Sequence, residues 1–264
     1  MRTIRILLII LVAISVAILI NNYIKETSTD SYYAKGAQAF QNNDYLVAID
    51  YFTKVIKKEP NKPEAYWARG KCHDKTKNYP ATIEDFSKAI EIDPSYFNAY
   101  LSRGQTYANA KKHEDALADY NKAIELNPYN YETFFFRGKT YSTLKNYSQA
   151  IADYSKAIEL TPSIAANYMI RGYTYQYIEN YIAAIDDFSK AIELDPTNSD
   201  AYYARGYVYY KQVEYKKAIS DLDKVIELNP NHKRAFIVRG DIYNELGNFA
   251  QAQSDYYNAT ELGK

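Results

Sequence analysis

An arginine returns every 34 residues along this 264-residue chain, and an aspartate follows each one sixteen residues later. The pairs are Arg69 and Asp85, Arg103 and Asp119, Arg137 and Asp153, Arg171 and Asp187, Arg205 and Asp221, and Arg239 and Asp255. Opposite charges at a constant spacing can do two kinds of chemistry. A row of arginines can hold an anionic ligand, or each arginine can be the partner that makes a buried carboxylate tolerable. The second reading is preferred because the two deviations coincide: where Lys35 replaces the arginine, Tyr51 replaces the aspartate. Each pair is expected to tie together two elements of one repeating unit. Residues suited to catalysis are sparse. His73, His113 and His232 are the only histidines, and Cys72 is the only cysteine. Cys72 and His73 are adjacent, not spaced for zinc. His73 and His113 occupy slots held by aromatic residues in other units, so both read as packing residues. There is no HExxH, phosphate-binding glycine loop or nucleophile elbow. No catalytic residue, metal ligand or cofactor is assigned, and the chain is not read as an enzyme.

The elements that position these residues follow from the repeat. With its glycine numbered 8, each unit runs as 29–62, 63–96, 97–130, 131–164, 165–198, 199–232 and a shortened 233–264. Position 4 is aromatic throughout, from Tyr32 to Phe236. Position 11 is Tyr from the third unit onward, position 20 is Ala in six units, and position 32 is Pro in six. The aromatics at 4 and 11 share a helical face with the glycine, predicting a first helix over about positions 2 to 14. A second helix is predicted after a polar cap at position 16, where Asp44, Asn78, Asn146, Asn180 and Asn248 stand. The proline ends it. Glycine at 8 costs about 1 kcal/mol of helix propensity relative to alanine. It is expected to let the two helices touch backbone to backbone. The last unit carries Gln253 and Thr260 where the others carry Ile or Leu, as expected of a polar end cap, with the array complete at 264.

With an aromatic at 4, Gly at 8, Tyr at 11, Ala at 20, an aromatic at 24, Ala at 27 and Pro at 32 in a 34-residue period, the chain resembles the tetratricopeptide repeat family. The resemblance implies an all-α fold: a right-handed superhelical solenoid of seven helix-turn-helix repeats. It implies a concave groove lined by the first helix of each unit at positions 2, 5, 9, 12 and 13. Leu is the usual family residue at position 7, so the arginines depart from the pattern. The groove candidates at position 5 are Tyr33, Trp67, Leu101, Phe135, Met169 and Tyr203. At position 9 they are Lys71, Gln105, Lys139, Tyr173 and Tyr207, joined by Lys75, Tyr177 and Tyr210. The groove is thus basic and amide-rich in units two to four and tyrosine-rich in five and six. Tyr and Trp are favoured anchors in binding surfaces, so the expected partner is a protein or peptide. Some family members grip a chaperone's C-terminal carboxylate with Lys at 5 and Asn at 9. Neither occurs at those positions here.

The chain carries 32 basic and 32 acidic side chains. A balanced charge argues against a nucleic-acid partner. A single cysteine permits no intrachain disulfide. The N-terminal segment differs from the repeats, being apolar from Ile6 to Ile20 except for Ser15. Residues 1–5 are read as a cytoplasmic N-terminus, 6–24 as a transmembrane signal anchor, 25–28 as a linker and 29–264 as the repeat array. Arg2 and Arg5 precede the span, which places the repeats outside the cytoplasm, on the periplasmic or exterior face of a bacterial cell membrane. Cleavage after Ser15-Val16-Ala17 is the alternative and would give a secreted repeat protein. The expected function is a membrane-anchored scaffold that binds a peptide or protein segment in its groove during assembly of an envelope complex. A non-catalytic repeat subunit of an enzyme complex is the other reading.

Overall fold

The computed structural model describes residue 20 and residues 25–262, which form fourteen α-helices and no strand. The anchor expected over 6–24 lies outside the described residues apart from Ile20. Among the described residues no helix is long and apolar enough to cross a membrane. The chain divides after Pro128 into two compact units. The first unit holds α1 (Thr29–Gln41), α2 (Tyr45–Lys58), α3 (Pro63–Lys75), α4 (Tyr79–Ile92), α5 (Phe97–Asn109) and α6 (His113–Leu126). The second holds α7 (Tyr131–Thr143), α8 (Tyr147–Leu160), α9 (Ala165–Tyr177), α10 (Tyr181–Leu194), α11 (Ser199–Lys211), α12 (Tyr215–Leu228), α13 (Lys233–Glu245) and α14 (Phe249–Glu261). Within each unit the helices pack as successive pairs, one pair per repeat, and each pair packs on the next.

The turn inside each pair is made by the backbone. Position 15 sits in the left-handed region in every repeat, with φ of 64° at Asn43, 58° at Lys77, 61° at Glu179, 63° at Val213 and 77° at Gly247. The next N–H then reaches back to the carbonyl at position 11. Asp44 N–H bonds the Ala39 carbonyl at 2.8 Å, and Asn180 N–H bonds that of Tyr175 at 2.9 Å. This Schellman arrangement satisfies the carbonyls that the first helix leaves open. It also corrects the expected side-chain cap at position 16. Only Asn78 and Asn180 accept a backbone N–H there, each at a long 3.4 Å, while Asp44, Asn146 and Asn248 make no such bond. Stronger caps open the first helices. Ser28, Asn130, Asn198 and the Nδ1 of His232 accept the N–H of Ser31, Thr133, Ala201 and Ala235 at 3.1, 2.9, 3.1 and 3.1 Å. At the far end of the first six repeats, proline forces its predecessor out of the helical region. Glu59, Thr161 and Asn229 accordingly have φ of −128°, −140° and −140°.

The core runs between the helices of each pair. Ala48, Ala116, Ala150, Ala184 and Ala218 are fully buried at position 20. The rings at position 24 fill the space beside them, with Phe86, Tyr120, Tyr154 and Phe188 among the most buried side chains. Those rings explain the glycine. A Cβ on Gly70 would lie 2.7 Å from Cε1 of Phe86, and one on Gly172 would lie 2.7 Å from Cε1 of Phe188. The glycine therefore seats an aromatic ring, not the backbone contact expected from sequence. Gln253 and Thr260 of the last repeat are exposed.

Candidate ligand-binding faces

Six aspartates at position 23 are buried, from Asp85 at 3% to Asp153 at 5% exposure, and each meets the arginine of its own repeat. Arg171 is representative. Its Nε donates to Oδ2 of Asp187 at 2.8 Å and its Nη2 to Oδ1 at 2.7 Å, a two-pronged contact across α9 and α10. Arg69, Arg103, Arg137, Arg205 and Arg239 make the same contact with Asp85, Asp119, Asp153, Asp221 and Asp255. The bond to aspartate holds the Arg69, Arg171 and Arg205 guanidinium groups above their ordinary pKa. Burial pushes the Asp119 carboxyl up, and Arg103 opposes that. Aromatics at positions 4 and 11 flank the cation: the Arg103 guanidinium lies 5.8 Å from the ring centroids of both Tyr100 and Tyr107.

The third nitrogen makes a contact that the sequence reading missed. Nη1 of Arg69, Arg103, Arg171 and Arg205 donates to the hydroxyls of Thr53, Ser87, Ser155 and Ser189, at 3.1, 2.8, 2.8 and 3.0 Å. Arg239 reaches Asp223 in the same way. These residues occupy position 25 of the preceding repeat, so one guanidinium joins three helices. The signal was present in the sequence. Position 25 is a small polar residue in units one to six and Tyr257 in unit seven. In the first repeat, where the pair is absent, Tyr32 and Tyr51 pack ring to ring at 6.2 Å. The Lys54 ammonium lies over both.

With the frame held this way, the first unit opens a cleft of about 190 Å³ between its first two repeats. It is lined by Tyr33, Ala37, Phe40 and Gln41 of α1, Phe52 of α2, and Trp67, Ala68 and Lys71 of α3. Tyr33 stands edge-on to Phe52, and the Lys62 ammonium lies 5.8 Å from its ring centroid. Trp67 is half-buried, and its indole N–H donates to Ser102 Oγ at 3.0 Å. That side chain is partly committed to the third repeat. Lys75 is exposed outside the cleft, and Gln105 is half-buried in α5. Leu101, expected on the open surface, is buried at 7%. Ala37 and Phe40 occupy positions 9 and 12, on the face expected to line the groove, whereas Phe52, the position-24 aromatic of the second helix, was not anticipated in the lining.

In the second unit the tyrosines dominate. Tyr173, 44% exposed, lies on Phe188, and Tyr177, 66% exposed, packs on Tyr147 with ring centroids 4.8 Å apart. These rings line a cleft of about 260 Å³ with Ser142, Ile170 and Thr174. The Tyr147 phenol is pushed up to about 12 by its hydrogen bond with Tyr177. On α11, Tyr203, Tyr207 and Tyr210 form a stack that continues to Tyr215 of α12. Lys139 is exposed, and Phe135 is half-buried against Phe136 and Tyr154. Met169, expected in the groove, is buried at 9% in the core of this unit. The residues missed here are Tyr147 and Tyr215. Both occupy position 17, which is aromatic or histidine in every repeat: Tyr45, Tyr79, His113, Tyr147, Tyr181, Tyr215 and Phe249.

The remaining reactive groups are quiet. Cys72 is fully buried, its Sγ lies 3.2 Å from the Ala68 carbonyl, and burial pushes its thiol up to about 12. His73 lies 3.9 Å from Asp85, and burial lowers its pKa. Among the described residues no group of His, Cys, Asp and Glu is placed to hold a metal ion.

Helix pairs of this design, seated on glycine and closed by proline, define a helical-repeat protein. Family models described as tetratricopeptide repeat match residues 33–97, 97–130, 131–164, 199–232 and 234–262, and one described as TPR repeat matches 172–213. The chain belongs to the tetratricopeptide repeat family. Among solved structures it is similar to the MamA protein, at 31% identity and a TM-score of 0.60, with 63% of this chain and 91% of that one covered. It is similar in fold to YrrB, described as a TPR protein with an unusual peptide-binding site, at 24% identity and a TM-score of 0.61, covering 70% and 95%. The C-terminal part of a TPR repeat-containing protein from Cytophaga hutchinsonii matches at 20% identity and a TM-score of 0.77, covering 87% and 95%. No curated protein matches the chain.

Proposed function

We propose that this protein is a non-catalytic scaffold that holds an extended segment of a partner protein against its first helices. The observation that carries the reading is the cleft of the first unit. Its floor is apolar and aromatic, its mouth is open, and Lys71 supplies a cation in its lining. Such a site takes an apolar or aromatic side chain with an acidic neighbour. The partner is an envelope or membrane-associated protein in this reading, because the apolar run from Ile6 to Ile20 would anchor the chain with its repeats outside the cytoplasm.

Peptide display on the purified chain tests the binding claim. The enriched peptides should pair an acidic residue with an aromatic or aliphatic one. Lys71→Glu should reverse the preference for the acid, and Ala37→Trp should fill the cleft and abolish binding while helicity is unchanged. Peptides that bind equally well to a folded Ala37→Trp variant would refute the site. N-terminal sequencing of the native protein tests the anchor: Met1 or Arg2 is expected, and a mature terminus at Ile18 would refute it.

A further inference from the structure

The tyrosine stack of the second unit is a different kind of surface. Tyr203, Tyr207 and Tyr210 stand at i, i+4 and i+7 on α11, a spacing that lays side chains one above another on a single helix face. Ring centroids are 6.2 Å apart from Tyr203 to Tyr207, 6.2 Å from Tyr207 to Tyr210, and 6.3 Å from Tyr210 to Tyr215. His232 continues the row at 4.7 Å from Tyr203. All four tyrosines are half-buried, with one side on the core of Ala218, Leu222 and Val238. Among the described residues no hydroxyl of the four bonds a protein group. The charges around the stack are ordered. At the Tyr203 end stands Arg234, which lowers the Tyr203 phenol against the larger upward effect of burial. At the Tyr210 end stand Asp241 and Glu245 of α13, which add to burial in raising the Tyr210 phenol. Asp241 accepts the Tyr256 hydroxyl on Oδ1 at 2.8 Å, which orients the carboxylate, and among the described residues Oδ2 has no hydrogen-bond partner.

Resting on the reading of the protein as a binder of extended segments, we infer that the stack receives a basic side chain of the partner, an arginine or lysine laid over Tyr207 and Tyr210 and facing Asp241 and Glu245. The faces of aromatic rings attract cations, most strongly where water is partly excluded. The chain's own Lys211 ammonium already lies 6.0 Å from the Tyr207 ring centroid. Carboxylates at the same end add charge complementarity, which sets specificity. The second unit thus takes the charge opposite to that favoured by the Lys71 cleft.

The test uses the full-length protein with isotope-labelled tyrosine rings. It is titrated with Gly-Ser peptides that differ only in central arginines, glutamates or norleucines. The arginine peptide should move the Tyr207 and Tyr210 signals and bind more tightly than the norleucine peptide, and the glutamate peptide should leave these signals in place. Tyr207→Leu and Asp241→Asn should each weaken arginine-peptide binding roughly three- to thirty-fold. Tyr207→Phe should retain it, because the ring face and not the hydroxyl is used. If Tyr207→Leu proves unfolded, Asp241→Asn, which removes only a charge, decides the matter. Equal binding of the arginine and glutamate peptides, no movement of the tyrosine signals, or an unchanged affinity in Asp241→Asn would overturn the inference. Ala37→Trp, which fills the first-unit cleft, should not affect arginine-peptide binding, so the failure of this site and the failure of the first-unit cleft can be told apart.

Discussion

Removing Arg171 should do more damage than removing Asp187, although the two share the same bonds. Asp187 is only 4% exposed, whereas the Arg171 side chain keeps 19% of its surface. Arg171→Leu strands a carboxylate in the space between two helices, and a broken buried pair costs about 3–5 kcal/mol. Asp187→Leu leaves a guanidinium that still bonds Ser155 and can turn its free edge to water, so about 2 kcal/mol is expected. The double variant should recover much of the Arg171→Leu loss, giving a coupling of about 2 kcal/mol or more in a double-mutant cycle. pH adds a signature. In Arg171→Leu the carboxyl of Asp187 loses its cation and keeps its burial, so its pKa rises above that of the unfolded chain. The folded state then binds a proton more readily than the unfolded one, and the deficit against wild type should shrink as pH falls from 7 towards about 5. Urea unfolding followed by circular dichroism at several pH values measures all of this, fitted with a nearest-neighbour model because repeats need not unfold as one step. Additive single-variant costs, or a deficit in Arg171→Leu that grows on acidification, would refute the reasoning.

Gly172→Ala should destabilise the protein despite alanine's better helix propensity, by about 1–3 kcal/mol, because the new methyl would meet Phe188 at 2.7 Å. Thermal unfolding checks this, and a stabilised variant would mean that the ring can move aside. Val213 carries a β-branched side chain at φ 63° while two-thirds exposed. Val213→Gly should therefore gain about 1 kcal/mol by relieving backbone strain, and a loss in urea unfolding would contradict that account. With its thiol pushed up to about 12, Cys72 stays protonated in the fold, and the associated stability is intact at neutral pH and lost as pH rises from the ordinary thiol value of 9.0 towards about 12. Thiol reagents should modify Cys72 at pH 8 only as fast as the protein opens, and rapid labelling of the native chain would show the burial to be wrong.

Much of this architecture was legible in the residues themselves, and the exceptions have physical causes. The period located seven helix pairs because glycine recurs at one position in all seven units and proline at another in six. The arginine–aspartate bond could be inferred because the first repeat loses both members together. The third contact escaped notice because Thr, Ser and Asp all serve at position 25: the position asks for an acceptor, not for one residue type. Turn chemistry was misplaced for a related reason. The left-handed residue at position 15 is a lysine in three repeats, so nothing in its identity announces its backbone. The binding face was read least well. Position 5 holds Leu101, buried at 7%, and Ile237, 37% exposed, because exposure there depends on the size of neighbours in adjacent helices. Periodicity alone cannot supply that.

The second, fifth and sixth repeats each carry both halves of a joint, an arginine that reaches backward and a position-25 acceptor offered forward. Because the halves are alike from copy to copy, the units are interchangeable parts. If residues 165–198 were excised by recombination within the gene, Arg205 would meet Ser155 in place of Ser189, one hydroxyl for another, while still gripping its own Asp221. A tandem array built on such a joint can lose or gain whole units without redesigning an interface.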